Sequence, residues 1–180
     1  MVTAEDKLPF NRRFASESQV KNSVYASLEE NTADIQNARA TMQAFKDSLT
    51  EGGKISNGIK RTAEDNLIMM FRTVACLQLR RWAPDVLSND PESFYNLLHE
   101  HIALKTFEQV VGATGYSHTG MNQSDVRNFP LMRKMYRSFV FSYMHGIAKA
   151  EAKSPGSVEK SNKLANVYKR RMEVCITLMS

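Results

Sequence analysis

Apolar residues recur along this chain at helical intervals. Between Ser16 and Glu51, Val20, Val24 and Leu28 step by four, and Ile35, Ala38, Met42, Phe45 and Leu49 step by three and four. That spacing aligns one face of a helix. Asn31 and Thr32 can divide the stretch into two helices, with Thr32 placed to cap the second, and Gly52-Gly53 stops it. Ser56-Asn57-Gly58 then signals a turn.

The pattern from about Thr62 to Trp82 leaves little polar face: Leu67, Ile68, Met69, Met70, Phe71, Val74, Ala75, Leu77 and Leu79 are all apolar. A helix of that kind is expected at the centre of the fold. Thr62, Glu64 and Asp65 suit its start, where carboxylates meet the positive end of the helix dipole. Pro84 and Ser88-Asn89-Asp90-Pro91 end it. Asp90 is then expected to cap a helix with Pro91 at its first position, running to about Val111 and closed by Gly112 and Gly115.

Tyr116 to Asn128 is polar and reads as a loop. Ser124 to Ala152 reads mostly as helix, with Pro130 in a first turn. Ser154-Pro155-Gly156 breaks the chain, and Ser157 is expected to cap a last helix reaching about Met179. No segment alternates with the period of a strand. Residues 1–15 mix Pro9, Asn11, Arg12, Arg13 and Phe14 without periodicity and predict an extended, flexible arm. The expected architecture is all-α: one compact domain over 16–180 of about five to seven helices, behind that arm.

Composition adds little that conflicts. A 180-residue chain with 42% hydrophobic residues can build a core without staples. Ten methionines suit helices that repack in contacts. Cys76 and Cys175 make no disulfide framework, and Glu5, Asp6 and Lys7 precede Pro9 in place of an apolar leader, so a reducing intracellular compartment is expected. The stretch Leu67 to Leu79 is interrupted by Arg72, Thr73 and Gln78 and is too short to span a bilayer, so no membrane partner is expected.

Charge is more informative. Residues 1–90 hold 12 Lys+Arg and 12 Asp+Glu, whereas residues 91–180 hold 12 against 7, so the whole net charge of +5 lies in the second half. A one-sided basic balance points to an anionic partner. Arg133 and Arg137 are four apart, Lys134 lies three before Arg137, and Lys160, Lys163 and Lys169-Arg170-Arg171 continue at helical spacing. Tyr136, Tyr143 and Tyr168 lie among them. Cations with aromatic faces suit single-stranded nucleic acid; the alternative is an ordinary solvated helix face with tyrosines in the core.

Arg72 is the only charged residue between Leu67 and Leu79. A guanidinium there must reach water, an internal carboxylate, or a bound anion. The last is attractive because its fork can hold two phosphate oxygens.

Catalytic and metal chemistry has no visible constellation. His99 and His101 are two apart on a helix and point to nearly opposite sides, and His118 and His145 have no acidic or thiol residue at ligand spacing. Cys76 sits in the most apolar helix, where a thiol is usually packing. Phosphate-loop and dinucleotide glycine spacings are absent, so no cofactor and no enzyme activity are expected.

Two segments together resemble the coat proteins of flexuous filamentous plant RNA viruses. The first is Phe71-Arg72-Thr73-Val74-Ala75-Cys76 with Arg81-Trp82-Ala83-Pro84-Asp85 after it; the second is Arg127-Asn128-Phe129-Pro130 with Ser138-Phe139-Val140-Phe141 and Gly146. Ser56-Asn57-Gly58-Ile59 precedes them in the same order. The resemblance spans about residues 55–150 and implies that Arg72 and Ser56 line a pocket for RNA. It departs from the family where an Asp near that pocket is replaced by Val140. A negative-strand virus nucleoprotein is a neighbouring likeness.

The function these features imply is a non-enzymatic RNA-binding subunit, a viral coat or nucleocapsid protein. It would package single-stranded RNA in a helical assembly, in the virion or host cytoplasm. Arg72, Ser56, Arg133, Lys134, Arg137, Lys163 and Arg170 are its candidate RNA contacts. Phe10 and Phe14 would anchor the arm on a neighbouring copy, giving a homo-oligomer by arm exchange. The rival is a helical scaffold whose stripe at Ile35, Met42, Phe45 and Leu49 packs on a partner helix.

Overall fold

A computed structural model describes residues 2–29, 35–49, 54–88, 90–113, 115 and 123–166. In chain order the helices are α1 (Ala4–Arg13), α2 (Glu17–Glu29), α3 (Ile35–Asp47), α4 (Lys54–Lys60), α5 (Glu64–Cys76), α6 (Phe94–Gly112), α7 (Gln123–Arg127) and α8 (Phe129–Ser138). A π-helical turn, Phe139–Met144, joins α8 to α9 (His145–Lys153), and residues 157–166 are helical again. No strand occurs among the described residues, and the fold is all-α. Thr32, Gly52-Gly53, His118, Tyr168, Lys169, Arg170, Arg171 and Cys175 lie outside the described residues.

The centre of the fold is α6, not the apolar stretch expected there. Every residue from Tyr95 to Ile102 is buried, including Asn96, His99, Glu100 and His101. On α5 only Leu67, Ile68 and Thr73 are buried. The polar residues of α6 disguise it in the sequence, because burial of a polar group costs little once it is hydrogen-bonded. Asn96 accepts from the amide of Asp85 and donates to the carbonyl of Asp90, each at 2.9 Å. The Thr106 hydroxyl donates to Ile102 O at 2.7 Å.

The apolar core falls into three clusters, two of which include this helix. Phe14, Val20, Val24, Leu77 and Leu79 pack on Tyr95, Leu97, Leu98 and Ile102. Met42 packs with Leu67 and Ile68, joining α3 to α5. Leu104 packs with Tyr136 and Val140, joining α6 to α8 and the π-helical turn. Full burial of such side chains contributes about 2 kcal/mol each.

The first 15 residues correct the expected extended arm. Thr3 and Asp6 form a capping box, and the chain is helical from Ala4 to Arg13 with Pro9 inside. A proline there is costly, so propensity argues against this helix and tertiary docking supports it. Lys7 Nζ donates to Asp85 Oδ2 at 2.7 Å, and Phe10 meets the Tyr95 ring edge-on at 5.7 Å. The Tyr95 amide, an otherwise open donor in the first turn of α6, donates to Asn11 Oδ1 at 2.9 Å. Phe10 and Phe14 therefore pack within their own chain.

Helix ends supply further corrections. The helix expected to reach Trp82 stops at Cys76, because the Leu79 and Gln78 amides donate to Val74 O and Ala75 O, at 3.1 and 2.9 Å. That is the Schellman pattern, and Gln78 takes the left-handed place usually held by glycine, at φ 62°. Ser93, not Asp90, caps α6, its hydroxyl accepting from Asn96 N; Asp90 closes the preceding turn by accepting from Glu92 N. Gly115 does close α6: its amide donates to Val110 O at 2.8 Å, and a Cβ there would meet Val110 at 2.6 Å. The break at Ser154-Pro155-Gly156 is present, but Glu151 rather than Ser157 accepts from the Gly156 and Val158 amides.

Candidate nucleic-acid interface

Glu100 is 1% exposed, deep in the face of α6 that α8 covers. Two arginines one turn apart on α8 meet it. Arg133 Nε lies 2.6 Å from Glu100 Oε1, and Arg137 Nε donates to Glu100 Oε2 at 2.7 Å. Arg137 Nη1 also donates to Glu92 Oε1, and Arg133 Nη1 lies 3.0 Å from Glu17 Oε1. Glu17 in turn is 3.3 Å from His101 Nε2.

Two guanidiniums here face three carboxylates, Glu17, Glu92 and Glu100. The arginine pair that dominates the sequence pattern is therefore spent internally and offers no surplus positive charge. Burial pushes the Glu100 carboxyl above its ordinary range, and the Arg137 hydrogen bond and nearby guanidinium charges offset only part of that. The Arg137 hydrogen bond holds Glu92 below its ordinary range. Burial lowers His101, which Glu17 only partly opposes, so its imidazole is neutral at neutral pH.

His99 serves the core. Its Nδ1 lies 2.8 Å from Tyr95 O, and its own carbonyl accepts from Trp82 Nε1 at 3.0 Å. Burial drives its pKa down to about 4 against the pull of the Tyr95 and Arg81 carbonyls.

Surplus positive charge gathers beside the arginine cluster instead. A cleft of about 220 Å³ opens between α2, α6, α7 and α8. Leu104, Val126 and Met132 supply its apolar lining, and Lys21, Lys105, Arg127 and Glu108 its charges, a balance of three positive against one negative. Lys21 Nζ and Lys105 Nζ lie 5.4 and 4.7 Å from the centre of the Tyr25 ring. Lys105 Nζ also donates to Glu108 Oε2 at 2.8 Å. Across the cleft, Phe129 stacks on His101 with ring centres 5.8 Å apart and 12° between planes. The volume is below that of a typical metabolite site and suits one nucleobase or one phosphate group.

The residues singled out in the sequence divide accordingly. Arg133 and Arg137 come together, on acids. Lys134 is exposed on α8. Lys163 pairs with Glu159 at 2.6 Å on an exposed helix face. Arg72 is half-buried on α5 and is not among the cleft's lining residues. Ser56 falls in α4, its side chain outside what is described, as is all of Arg170. Val140 is fully buried against Leu104 and Tyr136, so the position that holds an acid in the coat-protein pattern is core here.

Sequence reasoning missed Lys21, Tyr25, Lys105 and Arg127. Lys21 and Tyr25 are four apart on α2, a spacing that was legible; their meeting with Lys105 and Arg127 was not. Among the described residues no group of three or more His, Cys, Asp or Glu is arranged to hold a metal ion, and no helix is long and apolar enough to cross a membrane. No protein-family model, curated protein or solved structure matches the chain.

Proposed function

We propose that this protein is a non-enzymatic structural subunit that binds single-stranded RNA, of the coat or nucleocapsid kind. Its contact surface is the cleft between α2, α6, α7 and α8. The observation that carries the proposal is the pairing of Lys21 and Lys105 over the Tyr25 ring in a cleft of net positive charge. Lysines and Arg127 meet backbone phosphates, while Tyr25 and Phe129 offer faces for bases. Such contacts ignore sequence, as packaging requires. The basic second half of the chain and the resemblance of Arg72-containing α5 support the same reading. The virion or host cytoplasm is the corresponding location.

The test is fluorescence anisotropy with labelled mixed-sequence RNA and protein freed of nucleic acid. Binding is expected to weaken steeply between about 50 and 200 mM salt. The double variant Lys105→Glu/Arg127→Glu should bind at least about tenfold more weakly than wild type, because two phosphate contacts become repulsive. Binding that is absent, insensitive to salt, or unchanged in that variant overturns the proposal.

A helical scaffold is the second reading. Ile35 and Phe45 on α3 favour it, since both remain exposed although their stripe partner Met42 is buried. A nucleic-acid-free complex of fixed stoichiometry on purification from cells would select it.

A further inference from the structure

The face of α8 and α9 turned away from α6 carries a row of large apolar side chains: Leu131, Met135, Phe139, Tyr143 and Ile147, all exposed. Met135, Phe139 and Tyr143 are each more than half exposed, and the Phe139 and Tyr143 rings stack on one another at 5.5 Å. These residues step by four throughout. In an α-helix a step of four overshoots one turn by about 40° and the row would wind off the face. The π-helical turn Phe139–Met144 is more widely wound, so a step of four falls short of a turn there and returns the row to its line. On the other side of the same turn Val140 remains fully buried.

Beside this ridge runs a second row, Ser138, Ser142, Gly146 and Ala150, also stepping by four and also exposed. Nothing lies within 4 Å of where a Cβ on Gly146 would stand. The face thus holds a ridge of large residues next to a groove of small ones, the two complementary halves of a helix–helix contact. We propose that this face is a homodimer interface, in which two copies pair antiparallel about Phe139.

Three observations select a second copy as the occupant. The ridge is close to palindromic: about Phe139, Met135 exchanges with Tyr143 and Leu131 with Ile147. Antiparallel pairing therefore sets thioether on aromatic ring, aliphatic on aliphatic, and Phe139 on its own copy, as an isologous two-fold contact demands. Next, ridge and groove lie on one surface, so each copy supplies what the other lacks. Finally, the area suffices. The ridge leaves on the order of 500 Å² of apolar side chain in water, in the upper part of the range for the largest patch on a monomer, which is often functional. With its flanks it approaches the roughly 800 Å² per partner of a stable interface.

Sedimentation equilibrium of the full chain, freed of nucleic acid, should show a dimer. The variant Met135→Ser/Tyr143→Ser should raise the dissociation constant at least about thirtyfold, since both anchors are lost. Register is tested by oxidative cross-linking in a Cys76→Ser/Cys175→Ser background. Phe139→Cys should cross-link to itself, and Leu131→Cys should cross-link to Ile147→Cys in a mixture but not to itself. A monomer at about 100 μM, a dimer undiminished by the double variant, or self-cross-linking at position 131 overturns the inference. If the double variant loses its helical circular dichroism, the cross-linking result decides alone. Because no RNA is present, this outcome is independent of the RNA-binding test.

Discussion

Arg137 Nε donates to Glu100 Oε2 at 2.7 Å across a sequence separation of 37 residues. That contact turns an arginine of a basic-looking helix into the partner of a carboxylate that is 1% exposed. Two nearby guanidiniums allow a charged Glu100 to be accommodated despite burial, and its carboxylate anchors α8 on α6. The consequence for function is subtraction: α8 contributes Lys134 to the accessible positive surface, while Arg133 and Arg137 are committed inward.

Removing the Glu100 charge should therefore be costly. Glu100→Gln removes the buried carboxylate that both Nε groups meet, leaving only the more exposed Glu17 and Glu92 to balance the two guanidiniums, and is expected to destabilise the fold by about 3 kcal/mol. Glu100→Gln with Arg137→Met should be less destabilised than the sum of the single variants, because the pair is coupled. Urea denaturation of the four proteins measures both. Additive losses would show that the pair is not coupled as described.

The aromatic side of the cleft gives a separate expectation. Tyr25→Ala removes the ring that Lys21 and Lys105 approach and should weaken RNA binding by about 1 to 3 kcal/mol, roughly five- to 150-fold. Because no charge changes, the slope of affinity against salt should stay as in wild type. A changed slope would mean that Tyr25 acts by positioning the lysines rather than by meeting a base.

Acid should destabilise the protein through His99. Its folded pKa of about 4 lies below the ordinary histidine value of 6.5, so between these values the unfolded chain holds a proton that the folded chain lacks. Stability then rises with pH, and is lost as pH falls through that window. Lowering the pH from 7 to 5 should remove about 2 kcal/mol by this route. His101, also depressed, adds in the same direction, whereas Glu100, raised by burial, opposes it at the acid end. In His99→Asn, urea midpoints at the two pH values should lie closer together than in wild type.

Gln78 offers a stabilising change. Its φ of 62° places a residue with a Cβ in the left-handed region at the end of α5. Gln78→Gly relieves steric cost of about 1 kcal/mol and adds unfolded-chain entropy that cancels part of it. A net gain of about 0.5 kcal/mol is expected, seen as a small rise in melting temperature. A lower melting temperature would show that the Gln78 side chain stabilises the fold in its own right.

Much of this molecule was legible without coordinates. The steps at Val20 and Val24, the burial of Ala38 and Met42 within their stripe, Pro130 in a first turn and the break at Ser154-Pro155-Gly156 all occur where their spacing and chemistry place them. The misreadings share one cause. Pro9 and scattered charges hid α1, which is held by Asp85, Tyr95 and neighbouring core residues from elsewhere in the chain. His99, Glu100 and His101 give α6 a polar appearance in the sequence, although Tyr95 O meets His99 Nδ1, Arg133 and Arg137 meet Glu100, and Glu17 meets His101.

Periodicity alone determined that this protein is helical, because the apolar spacing is a local property that each segment carries with it. Charge composition determined that its second half is basic. Folding decided which of those charges face outward, since Arg133 and Arg137 meet Glu100 only when α8 lies on α6, while Lys21, Lys105 and Arg127 meet around one cleft only when four helices converge. The physical reason is range: a helix closes on residues four apart, whereas an ion pair or a cleft joins side chains whose distance along the chain says nothing about their distance in space.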